Sequence, residues 1–113
     1  MKKTIILASL LFSMLIQAQQ KVHIIPQPVS LEVKEGSFVI DANTGVKSPK
    51  NEKEAEKVVH FFAEYVKRVT GFELNTKQTQ GKNIVFRIEK IKEIGEEGYL
   101  ISVNPNEILV KAN

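Results

Sequence analysis

Asn51–Leu74 reads NEKEAEKVVHFFAEYVKRVTGFEL, and no other stretch holds enough periodic apolar residues to anchor a core. Ala55, Val58, Val59, Phe62, Val66 and Val69 recur at the three- and four-residue steps that align on one side of a 3.6-residue turn. Lys53, Glu56, Lys57, Glu64, Lys67 and Arg68 take mostly the other side. The spacing predicts one amphipathic helix. Asn51 fits as its N-cap, with Glu54 completing an N-x-x-E capping box, and Gly71 suits the left-handed position that ends it. No residue on the stretch stands in a catalytic or metal-ligand pattern.

At the N-terminus, MKKTIILASLLFSMLIQAQQK places Lys2 and Lys3 before an apolar run from Ile5 to Ile16, closed by Gln17-Ala18-Gln19. This reads as a secretory signal peptide over residues 1–18, cut after Ala18, although Ile16 is bulkier than the small residue preferred three positions before the cut. The run is well short of the roughly 20 apolar residues a membrane span needs. The mature chain, 19–113, has length for one modest core and none for a (β/α)₈ barrel of about 250 residues.

Two of the sixteen Lys and Arg residues and none of the thirteen acidic ones fall in the signal, so the mature chain is close to neutral. Its charges are interspersed, which leaves no basic cluster to hold a phosphate backbone, and nucleic acid is not an expected partner. There is no cysteine, hence no disulfide framework and no lipid-bearing cysteine after the signal. Export to a bacterial periplasm, outer surface or medium is the expectation.

Downstream of the signal, Ile25-Pro26 and Gln27-Pro28 push their first residues into extended geometry. Leu31–Val33 and Phe38–Ile40 flank Glu35-Gly36-Ser37 and read as a hairpin over 31–40, with Leu31, Val33, Phe38 and Ile40 on its apolar side. Residues 41–50, DANTGVKSPK, read as a loop, as does the polar connection 75–82. Ile84, Phe86 and Ile88 alternate with Val85 and Arg87, which predicts a strand over 83–89. Lys90–Glu97 reads as an extended loop. Tyr99–Val103 and Glu107–Ala112 around Asn104-Pro105-Asn106 give the clearest hairpin signal, with Tyr99, Ile101 and Val103 sharing a face with Ile108, Val110 and Ala112 and meeting the helix stripe. The fold class is therefore α+β: a small, mostly antiparallel or mixed sheet of about five strands with one long amphipathic helix on one face.

Side chains with chemical potential do not assemble into a site. His23 and His60 are far apart in sequence; a metal site wants a third ligand or a close pair such as i, i+4, and His60 is read as having no suitable neighbour at that spacing. The carboxylates lie in Lys/Glu mixtures typical of a solvated face, and the adjacent Glu96-Glu97 point apart in an extended segment. Ser30, Ser37, Ser48 and Ser102 have no nucleophile-elbow context, and Gly36, Gly71, Gly81, Gly95 and Gly98 form no phosphate-cradling loop. Phe61, Tyr65 and Phe72 could form an aromatic platform for a sugar ring, but beside a helix stripe they are expected to belong to the core or its rim. Catalytic, cofactor and metal residues are accordingly none.

The opening of the mature chain, Ile24-Ile25-Pro26-Gln27-Pro28-Val29-Ser30-Leu31 followed by Gly36-Ser37-Phe38-Val39-Ile40, resembles the start of bacterial β-N-acetylhexosaminidases of glycoside hydrolase family 20. Phe61–Gly71, ending in Thr70-Gly71, resembles that family's N-terminal domain helix, and Gly98–Val103 with Ile108–Ala112 resembles its glycine-tyrosine strand and hairpin. The resemblance covers nearly all of 19–113. It implies a non-catalytic α+β domain that abuts a (β/α)₈ barrel. In the family the barrel's adjacent aspartate-glutamate pair removes terminal β-linked N-acetylhexosamine. The glutamate is the general acid/base, and the substrate's acetamido oxygen, oriented by the aspartate, is the nucleophile. None of those residues can be carried over to this chain. The family's last strand leads into a second helix on the same sheet, a segment that would lie past Asn113, so part of the sheet's apolar face is expected to be uncovered.

These readings give three functional expectations. The first is an exported hexosaminidase's supporting domain, inactive alone and partnered by the barrel. The second is a stand-alone exported carbohydrate- or protein-binding module, and the third an envelope scaffold.

Overall fold

A computed structural model describes residues 22–77 and 80–113. The expected signal peptide, residues 1–18, lies outside the described residues. The chain divides into two units, one ending at Lys34 and the other running from Glu35 to Asn113.

In the first unit, the described residues 22–34 form neither helix nor strand, and the Ile25–Pro26 peptide is cis. Leu31 and Val33 are exposed, and Glu32 and Lys34 pair at the surface across 3.5 Å.

The second unit has the order β1 (Gly45–Lys47), α1 (Lys53–Thr70), β2 (Asn83–Ile88), β3 (Tyr99–Val103) and β4 (Glu107–Ala112). Its four strands form one mixed sheet in the order β1-β2-β4-β3. β1 pairs parallel with β2 across the α1 crossover, β2 pairs parallel with β4, and β3 pairs antiparallel with β4. The fold is α+β, with four strands in place of about five, and with parallel pairing at two of the three joins.

Two revisions account for the strand count. The hairpin expected over 31–40 does not form: Gly36 does take the positive φ of a turn, at 102°, but no ladder flanks it. Phe38 and Ile40 pack instead against the core as irregular chain, and Gly36 lies where an added Cβ would come within 3.4 Å of the Pro105 ring. Conversely, the stretch read as a loop contains β1. Asp41 begins it with an Asx turn in which its Oδ1 accepts from the Asn43 N–H at 2.8 Å, and its own N–H donates to Thr44 Oγ1 at 2.9 Å. Thr44 is fully buried, and Val46 behind it is 1% exposed. Asn75 then bridges to Gly45 on the outer side of β1, accepting from the Val46 N–H at 3.0 Å.

The helix forms over 18 residues, but its start differs from expectation. Asn51 sits at φ 63° and Glu52 becomes the N-cap with no side-chain cap bond, so the capping box is absent. Entering from Pro49, the chain spends Asn51 on a left-handed turn and so moves the helix boundary past it. Glu54 pairs with Lys57 at 2.7 Å rather than reaching back to the cap. At the other end Gly71 takes the left-handed conformation, φ 78°, and its N–H donates to the Lys67 carbonyl at 2.8 Å. Acids in the first turn and bases in the last complement the helix dipole.

Val59 and Val66 of α1 join Val46, Leu74 and Ile84 as the buried centre, with Phe38, Ile40, Phe62, Ala63, Phe86 and Ile108 packed around it. The Phe62 and Phe86 rings meet edge-on, with centroids 5.4 Å apart. Two members of the expected stripe, Val58 and Val69, are not part of it and remain exposed.

The C-terminal hairpin has the register the alternation predicts: Tyr99 faces Ala112, Ile101 faces Val110 and Val103 faces Ile108. Asn104 Oδ1 closes its turn by accepting from the Asn106 and Glu107 N–H groups, both at 2.9 Å. That face meets the core only at Ile108, however, and Tyr99, Ile101 and Val103 each stay about half exposed. The reason is position: α1 packs against β1 and β2, while β3 is the far edge of the sheet.

Candidate functional site

The helix has two flanks, and the sheet order fixes what each one faces. On one flank Glu56, His60, Glu64 and Lys67 line an open groove of about 470 Å³ with Ser48, Glu73, Leu74 and Thr76. Asn75 bridges to the outer edge of β1, so this groove lies at the β1 end of the sheet. Val59, Phe62, Ala63 and Val66 follow around the helix and contact the core. Continuing at 100° per residue, the next flank carries Val58, Phe61, Tyr65 and Val69, which therefore points toward the β4–β3 end.

His60 thus has two carboxylates along one helix edge, Glu56 a turn before it and Glu64 a turn after. The sequence reading expected no suitable neighbour at this spacing, although the four-residue steps to Glu56 and Glu64 are visible in it. Chemically the groove is a solvated rim. Lys67 and Glu73 pair across it at 3.2 Å, and among the described residues no group of three His, Cys, Asp or Glu is placed to hold a metal ion.

The other candidates do not converge on it. His23 is exposed among residues 22–34, Glu96 and Glu97 lie in the turn before β3, and Ser102 is on the edge strand. Of the serines among the described residues, Ser48 alone lines the groove. Away from the groove, the Asp41 carboxyl has a lowered affinity for protons. The Asn43 N–H bond holds it below its ordinary range, aided by Lys82 Nζ at 3.4 Å from Oδ2, and partial burial opposes them. Its partners make it part of the turn into β1.

The second flank is different in kind. Phe61 is 72% exposed and Tyr65 half exposed, so of the expected placement in the core or at its rim the buried core is excluded. The Arg68 guanidinium lies 5.4 Å from the Tyr65 ring centre. The sheet face carrying Tyr99, Ile101 and Val103 is likewise about half exposed. Helix and edge strand thus each present exposed apolar residues. They were hidden in the sequence because they look like core residues.

The sequence model of glycosyl hydrolase family 20, domain 2, matches residues 21–113. The chain belongs to that family. The match takes in every strand and the helix of the second unit, in the order given above. No curated protein matches the chain. A family 20 second domain implies other domains in the full protein, a catalytic domain among them. Among the described residues no helix is long and apolar enough to cross a membrane.

Proposed function

We propose that this chain is the supporting domain of an exported β-N-acetylhexosaminidase and hydrolyses nothing by itself. The family match over 21–113 carries this reading. The distribution of side chains supports it: the groove has exposed carboxylates with no buried acid/base partner among the described residues, while α1 and β3 leave apolar side chains exposed. In this reading the reaction, removal of terminal β-linked N-acetylhexosamine, belongs to a barrel domain, and the present chain holds that barrel in place.

The test is a chromogenic N-acetylglucosaminide assay on purified residues 19–113 and on a longer product that includes the barrel. Turnover is expected from the longer product alone. A rate that tracks the concentration of residues 19–113 overturns the proposal. Export is tested on the full chain by cell fractionation and N-terminal sequencing, with Gln19 the expected first residue.

The exposure of Phe61 and Tyr65 favours a second reading, a stand-alone exported module that binds carbohydrate or protein. Titration with N-acetylglucosamine oligomers discriminates: binding lost in Phe61→Ala and Tyr65→Ala supports the module, and no binding at millimolar ligand removes its carbohydrate form.

A further inference from the structure

We draw no further inference here: the strongest candidate, the groove at the outer edge of β1 where Glu56, His60, Glu64 and Glu73 gather, is a cluster of solvent-facing acids into which no buried, unpartnered group among the described residues is aimed.

Discussion

Asn113 and Ile91 bond through both ends of one side-chain amide: Asn113 Oδ1 accepts from the Ile91 N–H, and Nδ2 donates to the Ile91 carbonyl at 3.2 Å. The same Nδ2 lies 3.1 Å from the Ile94 carbonyl and 2.8 Å from that of Gly95. One residue beyond β4 therefore adds hydrogen bonds to the connection between β2 and β3, whose own bonds include Ile94 N–H to the Ile91 carbonyl at 3.4 Å and Gly98 N–H to the Gly95 carbonyl at 2.8 Å. Asn113→Ala should loosen residues 91–95 and cost about 1 kcal/mol, because the groups are exposed and water replaces part of what is lost. Asn113→Asp keeps the acceptor but turns a carboxylate toward three carbonyl oxygens, so it should be the worse of the two. Hydrogen exchange at the Ile91 amide checks both, and unchanged protection in Asn113→Ala would mean the amide contributes nothing.

The helix terminus offers a cleaner backbone test. Gly71 is left-handed and has nothing within 4 Å of where a Cβ would stand, so Gly71→Ala isolates conformational strain from crowding. A loss of about 1 kcal/mol is expected, with Gly71→Asn losing less. Gly98→Ala is the contrasting case, since its Cβ would come within 2.7 Å of Ile94 Cβ and 2.9 Å of the Gly95 carbonyl oxygen. Urea midpoints should rank Gly98→Ala below Gly71→Ala.

Much of this architecture was legible in the sequence, where local pattern and tertiary environment agree. The alternation in 83–88 and around Asn104-Pro105-Asn106 gives β2, β3 and β4 nearly residue for residue, because each has three or more alternating positions to read. β1 has only Gly45, Val46 and Lys47, and a single buried valine carries no period. Its strand geometry comes from β2 and Asn75 on either side, which are long-range partners. Phe38 and Ile40 misled in the opposite sense: two apolar residues separated by one imitate a strand even when both are fixed by packing. On α1 spacing alone could not separate Val59 and Val66, which are buried, from Val58 and Val69, which are not. The groove acids were visible as a four-residue repeat but look like any solvated helix face.

At the centre of the core Ile84 and Val46 are both 1% exposed. Ile84→Ala removes three carbons where β2, β1 and α1 meet, and should cost about 2–5 kcal/mol. In a domain of this size that is a large share of the total stability. Leu100→Ala, on the edge strand and half exposed, should change the urea midpoint far less. Equal losses at the two positions would contradict the placement of the core.

Asp41 sets a pH dependence whose sign follows from its bonds. The Asn43 N–H, helped by Lys82 and Thr44, stabilises the ionised carboxylate, so the folded pKa lies below the ordinary value of 3.8. Its contribution is present above the unfolded-state pKa and is lost as pH falls through the folded one. Asp41→Asn retains an oxygen for the Asn43 N–H while removing the charge. Between pH 5 and pH 3 the variant should therefore lose less stability than the unaltered chain, as read from urea midpoints at each pH. An acid limb of the same slope in both would show that the Asp41 charge is not what the turn depends on.

The exposed apolar residues of α1 and β3 separate a supporting domain from a self-sufficient one. Val58, Phe61, Tyr65 and Val69 on the helix, with Tyr99, Ile101 and Val103 on the sheet, are all at least half exposed. Exposed apolar side chains gathered on one domain mark an interaction surface on a soluble protein when they form a patch of more than a few hundred Å². Purified residues 19–113 should bind a hydrophobic dye and self-associate as concentration rises. Replacing Phe61 with Gln and Ile101 with Thr should reduce both effects while leaving the melting temperature nearly unchanged, because neither side chain is in the buried cluster. In a longer product with its barrel, the same two substitutions should instead lower the melting temperature if these residues form a packing surface. A monomeric, dye-silent 19–113 with a sharp melting transition would show that this surface is stable in water as it stands, and the binding-module reading would then gain over the supporting one.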